Sequence, residues 1–368
     1  LVLGKDISDV DIATSATPEE VKSLFSHTVD VGIEHGTVLV LHHHDSYEVT
    51  TFRTEGTYQD FRHPDSVTFV RSLEEDLMRR DFTINALAVN DREEIVDYFN
   101  GIEDLEHGII RCVGNPMERF NEDALRMMRA VRFAGQLGFS IESDTFNAIR
   151  TLKANLERVA VERMKVEFEK MILSPHRHLA FKAFVESELY QACPDFKATN
   201  DTLLKVGEFP LDKLTITQAW ILFAYYERLS ISQLRKVLKN WKSSNDQIST
   251  VLTGYQTLLA RLEKEWDAFL AYECPEDLAV EVEQLLPGIG QVEELEKLKT
   301  VYQQLPIRSM KDIQIDGFGV KEALGLGKMG PIIGEVLQAL QSEILSGKLM
   351  NENAEIVSWI RNNFSESK

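Results

Sequence analysis

Asp9 and Asp11, separated by Val10 and flanked by Ile7 and Ile12, are the first residues in the chain suited to chemistry. On a strand, the period of 2 sets both carboxylates on one face and directs Val10 and Ile12 into a core. Carboxylates this close repel unless a cation lies between them. Hard oxygen donors of this kind suit Mg²⁺, which fills its other positions with water and substrate phosphates. A solvated turn explains many Asp-x-Asp pairs, so more is required. A third carboxylate follows. Residues 38–41 and 47–53 read as two β-rich runs joined by the polar turn His42-His43-His44-Asp45-Ser46. Glu48 falls in the middle of the second run, a costly place for an unpaired charge. Either it blocks edge-to-edge aggregation, or it completes an Asp9/Asp11/Glu48 set for two metal ions. Such ions activate an attacking hydroxyl and stabilise departing pyrophosphate.

A second constellation runs from Glu122 to Arg132. On one helix, Ala124, Met127, Met128, Val131 and Ala134 form a buried stripe, and Asp123, Arg126, Arg129 and Arg132 recur at every third position. One reading is a solvated face with Glu122–Arg126 and Asp123–Arg126 ion pairs. The other is base recognition. Cytosine and adenine each present an amine donor beside a ring-nitrogen acceptor, which a carboxylate and a guanidinium complement. Guanine and uracil present the reverse pattern and would leave both protein groups unpaired. Asp123 and Arg126 would thus select C and A without a template, while Arg129 and Arg132 reach the triphosphate, whose oxygens suit the arginine fork. Upstream, Arg80 to Asn85 reads as the end of a helix opened by a Ser72/Glu75 capping box. Asp81 and Asn85, four residues apart, then share a face, either in a ligand pocket or in a supporting network.

Taken in order, these residues resemble the class II tRNA nucleotidyltransferases, the CCA-adding enzymes. The resemblance rests on Asp9-Val10-Asp11 through Ala16, Glu48 through Arg53, Arg79 through Ala86, Asp97-x-x-x-Gly101, Glu122-Asp123-x-x-Arg126 and Glu162-Arg163-Met164. It is strong over residues 1–175 and looser beyond. It implies template-independent addition of C, C and A to the tRNA 3′ end from CTP and ATP, with Asp9 and Asp11 holding Mg²⁺ and Glu48 assisting the 3′ hydroxyl. Arg80 would contact the nucleotide phosphates, and Asp81 and Asn85 would shape the sugar pocket. Asp97 and Gly101 match a motif tied to hinge motion, and Glu162-Arg163 would brace the neck helix. Residues 55–65, punctuated by Gly56 and Pro64, match a loop that relatives need to switch from C to A addition. The family's Gly-Gly-x-x-Arg-Asp segment is absent, so a helix and a first strand are expected ahead of Leu1. A bacterial poly(A) polymerase or a CC- or A-only adder shares this head. An inert RNA-binding module is the alternative of another class.

The elements that must carry these residues follow a simple order. Strand-like runs dominate the first hundred or so residues and helical periodicity the remainder, so the fold class is α+β, not an alternating sheet. We expect a catalytic head with a small mixed β-sheet over 1–118, a nucleotide-selecting neck over 119–176, a helical body over 177–295 and a tRNA-binding tail over 296–368. Asn121 is read as the cap of the neck helix, Glu162 to Ile172 as amphipathic with Pro175 at its end, and Pro331 to Leu345 as a long helix. No apolar run long enough for a membrane span occurs, and three scattered cysteines suit a reducing cytoplasm. The net charge of −19 opposes RNA binding, although residues 111–165 hold ten Lys/Arg against seven Asp/Glu. Gly325 to Gly330 fits a dinucleotide pattern but lacks the βαβ setting that would confirm it. Gly330-Pro331 opens a helix whose free N–H groups could meet an RNA phosphate in the tail. His42 to His44, His176 and His178 read as solvated side chains.

Overall fold

The computed structural model describes residues 2–4, 10–43, 45–56, 66–197 and 199–364. Its contacts divide into two units, residues 1–208 with 240–242, and residues 209–239 with 243–368.

The first unit begins with a four-stranded sheet in the order β1-β4-β3-β2, from β1 (Asp11–Thr14), β2 (Thr28–Gly32), β3 (Thr37–His42) and β4 (Asp45–Thr51). The two β-rich runs form the expected hairpin, with His42 opposite Asp45, and β1 lies parallel to β4. Alternation sends Val38, Val40 and Val49 to one face, where they pack on Val21. Val21 belongs to α1 (Pro18–Leu24), opened by a Thr17/Glu20 capping box with Pro18 in its first turn. Val10 and Ile12 do not enter that core; they are 57% and 41% exposed. Ile12 is in register with Val49, but β1 is the outer strand of the described sheet and is covered from one side.

Two ribbons follow, Arg53–Glu55 with Val67–Phe69 and Leu87–Val89 with Ile95–Asp97, together with α2 (Leu73–Met78) and α3 (Gly101–His107). Helices then take over: α4 (Pro116–Glu122), α5 (Leu125–Leu137), α6 (Ser143–Leu152), α7 (Val161–Ile172), α8 (Arg177–Glu186) and α9 (Asn200–Gly207). Asn121 is not a cap. It lies in the last turn of α4, whose start is fixed by Asn115 accepting from the Met117 N–H and by Pro116. The stripe Ala124, Met127, Met128, Val131 and Ala134 is buried as expected. Phe168 of α7 anchors an aromatic cluster with Phe181, Phe196 and Trp241.

The second unit is helical: α10 (Ile216–Tyr226), α11 (Ile231–Asn240), α12 (Asn245–Glu263), α13 (Ala268–Glu273), α14 (Glu276–Glu283), α15 (Leu295–Gln303), α16 (Gly317–Ala323), α17 (Ile332–Leu345) and α18 (Asn353–Phe364). Val336, Leu340 and Ile344 of α17 share a core with Ile356 and Ile360 of α18. Gly325 to Gly330 joins α16 to α17, between helices and not after a strand. No helix among the described residues is long and apolar enough to cross a membrane. An α+β head followed by helices is the architecture that the residue pattern implies.

Candidate active site

Asp11 and Glu48 are direct register partners across the parallel β1–β4 pair. Paired residues on neighbouring strands point to the same side, and such strands lie about 4.8 Å apart. Both carboxylates therefore stand on the face opposite Val38, Val40 and Val49, and both are exposed. Among the described residues, neither has a hydrogen bond or an ion pair. Two unpaired like charges held opposite one another on rigid strands form an arrangement that a hard divalent cation relieves, so the donors fit Mg²⁺. Asp9 lies outside the described residues. Among those that are described, no group of three His, Cys, Asp or Glu side chains converges on one point.

The segment from Arg79 to Asn85 is shaped differently from the helix end expected of it. Ser72 accepts from the Glu75 N–H and starts α2, but the helix stops at Met78, and residues 83–85 form a separate short 3₁₀ turn. The buried Asp76 holds that stop. It accepts from Arg79 at 2.9 Å and from the Arg53 N–H at 3.1 Å. Asp81 is a hub: Oδ1 accepts from the Phe82 N–H at 2.9 Å and from Asn85 Nδ2 at 3.1 Å, and Oδ2 from Arg129 Nε at 2.7 Å. The structure thus brings Asp81, Asn85 and Arg129 together. Arg80 donates through one terminal nitrogen to the Asn85 carbonyl at 3.1 Å and sets the other 3.6 Å from the buried Asp76 carboxylate, while its buried Nε has no partner among the described residues. A buried guanidinium donor left unsatisfied is suited to an anionic ligand.

Helix α3 fixes this segment from behind. Asp97 accepts from the N–H groups of Phe99, Gly101 and Ile102, which caps α3. A Cβ on Gly101 would stand 2.2 Å from the Thr83 carbonyl oxygen, so only glycine permits the approach. Thr83 also donates its hydroxyl to the buried Asp104 at 2.7 Å.

Asp123 and Arg126 do not share one helix. Asp123 is extended, with φ −135° and ψ 104°, between α4 and α5. Its Oδ1 accepts from the Leu125 N–H at 3.0 Å, and its Oδ2 takes a 2.7 Å bond from Arg163 of α7. The side chain of Arg163, expected to brace the neck, therefore closes on Asp123. Arg126 forms the anticipated pair with Glu122 at 2.6 Å and donates to the Arg79 carbonyl at 3.0 Å. Glu122 also binds Arg119 at 2.5 Å, and Arg119 donates to the Met78 carbonyl. Two arginines, one from α4 and one from α5, thereby satisfy the carbonyls that close α2. Arg132 does not join the Asp81 hub. It forms a buried 2.6 Å pair with Glu167 of α7, and burial pushes its pKa down against the opposing pull of that carboxylate. Of the expected switching loop, residues 55–65, residues 57–65 lie outside the described residues.

Sequence reasoning missed the roles of Arg119 and Arg163. The i,i+3 spacing of Arg119 and Glu122 was a local signal for the first. The Asp123–Arg163 contact spans forty residues and has no local signature.

Three family models match the chain: "Poly A polymerase head domain" over residues 1–111, "Probable RNA and SrmB- binding site of polymerase A" over 138–199, and "tRNA nucleotidyltransferase domain 2 putative" over 213–360. The chain is 45% identical over 370 residues to the CCA-adding enzyme of Enterococcus faecalis, covering 100% of this chain and 90% of that protein. It is 46% identical over 352 residues to the CCA-adding enzyme of Ligilactobacillus salivarius, covering 95% and 87%. The crystal structure of the Bacillus stearothermophilus CCA-adding enzyme in complex with CTP superposes with a TM-score of 0.88 at 36% identity, covering 98% of this chain and 90% of that one.

Proposed function

The chain belongs to the family of CCA-adding tRNA nucleotidyltransferases, and from that membership we propose that it adds C, C and A to the tRNA 3′ end from CTP and ATP without a template. In each cycle the terminal 3′ hydroxyl gives up its proton and its oxygen bonds to the α-phosphorus. The bond from that phosphorus to the bridging oxygen breaks, and pyrophosphate leaves. The observation that carries the reading is the facing pair of unpartnered carboxylates, Asp11 and Glu48, on an open sheet face.

Asp9 and Asp11 would hold Mg²⁺, which when bound supplies Lewis-acid stabilisation of the reacting phosphate and the departing pyrophosphate. Glu48 accepts a hydrogen bond from the attacking hydroxyl and orients it. Arg80 offers its unsatisfied Nε to a phosphate oxygen. Asp81 and Asn85 line the sugar, with Arg129 orienting Asp81. Asp123 accepts from the exocyclic amine of C or A, and Arg126 donates to the adjacent ring nitrogen. We assign the head to residues 1–118, the neck to 119–176, the body to 177–295 and the tail to 296–368, and place the reaction in the cytoplasm, where three free buried thiols persist.

The test uses tRNA lacking its terminus with labelled CTP and ATP. The expected product is longer by C, C and A. Asp11→Asn should lower the rate at least about 100-fold, the loss of a few kcal/mol of charge stabilisation. Chelation should abolish the reaction. Asp123→Ala or Arg126→Ala should extend with all four nucleotides while keeping metal dependence. A product of A residues alone would point to a poly(A) polymerase, and arrest after two C residues to a CC adder.

A further inference from the structure

Away from the active-site residues, a run of positive charge without a single carboxylate lies along α11. Residues 228–242 hold five Lys/Arg and no Asp/Glu, within a chain of net charge −19. Arg235, Lys236 and Lys239 are exposed on α11, and Arg228 is exposed just before it. Leu234, Val237 and Leu238 face the core. Among the described residues, none of these four cations has an ion-pair partner. In the same unit Lys264, Lys297 and Lys299 are each held by a carboxylate, and Lys213, Lys311, Lys321 and Lys348, which among the described residues are not, do not lie together on one helix.

The helix presenting them is held at its start. The Ser230 N–H donates to Gln233 Oε1 at 2.8 Å, and the Gln233 N–H donates back to Ser230 Oγ at 3.3 Å. The Tyr255 hydroxyl donates to the Leu229 carbonyl at 2.9 Å and to the Ala224 carbonyl at 3.2 Å. A rigid helix thus carries a one-sign outer face with no internal neutralisation.

We propose that the outer face of α11, through Arg228, Arg235, Lys236 and Lys239, binds the phosphate backbone of tRNA. This contact lies outside residues 138–199, which match the RNA-binding model, and it rests on the function proposed above. Most of this acidic chain repels a polyanion, so attraction must come from local strips of unpaired cations, and each phosphate they neutralise releases counterions. Lysine and arginine tips on one helix face read backbone, not bases, which suits an enzyme that serves every tRNA. A membrane surface fits less well, because Leu234, Val237 and Leu238 are buried and Ile231 is half-buried, which leaves no apolar face to insert among lipids.

The test compares the full chain with its Arg235→Gln/Lys236→Gln/Lys239→Gln variant. Binding to tRNA lacking its terminus is titrated between about 50 and 200 mM salt. The slope of log K against log salt should fall by about 2 to 3, roughly one unit per phosphate contact. The Kd and KM for tRNA should rise about tenfold at the upper salt, with the KM for CTP unchanged. Arg228→Gln, outside the helix, should lower the slope by about 1 and keeps the test decisive if the triple variant misfolds. Wild-type affinity and slope in both variants would overturn the proposal. So would unchanged tRNA binding with lost binding to phosphatidylserine vesicles, which would assign the face to a membrane. A wild-type chain that binds tRNA but does not extend it defeats the enzymatic reading alone. One that does neither defeats both.

Discussion

Asp123 has both oxygens committed before any nucleotide arrives: one to the Leu125 N–H, the other to Arg163. A carboxylate held from two sides has one orientation in which its remaining lone pairs can meet an amine, and in the role proposed for Asp123 discrimination between bases would depend on that orientation. Arg163→Lys keeps the charge but loses the fork. It should raise the KM for CTP and ATP and weaken rejection of UTP and GTP by about 10-fold or more, the range of a charged hydrogen bond. Single-nucleotide extension checks this, with thermal melting as the control; unchanged rejection would mean that Arg163 does not set Asp123. At this scale the sequence revealed residue types and little of their partners. Glu122–Arg126 was legible because both ends lie on one helical turn. Arg132 pointed toward phosphates on spacing alone, yet Glu167 from a different helix takes it.

Between elements, the decisive contact is the close approach of α3 to the turn carrying Asp81 and Asn85. A methyl group on Gly101 must displace the Thr83 backbone, which the Asp104 carboxylate and the Arg111 carbonyl also hold. Gly101→Ala should destabilise the first unit by about 1–3 kcal/mol, the usual cost of overpacking, and weaken nucleotide binding more than RNA binding. Calorimetry and separate KM values for CTP and tRNA would check it. Helices with a full amphipathic stripe, such as α7 and α17, are readable almost to the residue. The failures cluster where side chains from elsewhere end a helix. Residues 116–137 contain no glycine before Gly135 and no internal proline, so the one local signal for the break is Asp123 itself, which accepts from the Leu125 N–H, and the Arg163 bond from another helix completes it. Likewise α2 stops after Met78 because Arg119 and Arg126 donate to its closing carbonyls while Asp76 holds the Arg79 side chain. Val10 and Ile12 look like core on alternation, but alternation gives a face and not its cover.

For the molecule as a whole, the net charge of −19 argued against a polyanionic partner; only local charge distribution reversed that impression. The thiols make a global probe. Burial pushes Cys112 up to about 12 and Cys274 up to about 11, and raises Cys193 as well. These groups stay neutral in the folded state while an unfolded chain ionises them near pH 9, so stability falls as pH rises through that value toward 11 or 12. Below pH 9 they contribute no pH dependence. All three should resist a thiol reagent at pH 8 in the native protein and react on denaturation; rapid native labelling would contradict their burial. The sheet carries one more implication. His42 and Asp45 pair across a two-residue connection, whereas Asp11 must find Glu48 across most of the intervening chain. Loop closure favours the near pairing over the far one. The hairpin that carries Glu48 is therefore expected to close before β1 docks beside it, so the two facing carboxylates come together only in the finished sheet.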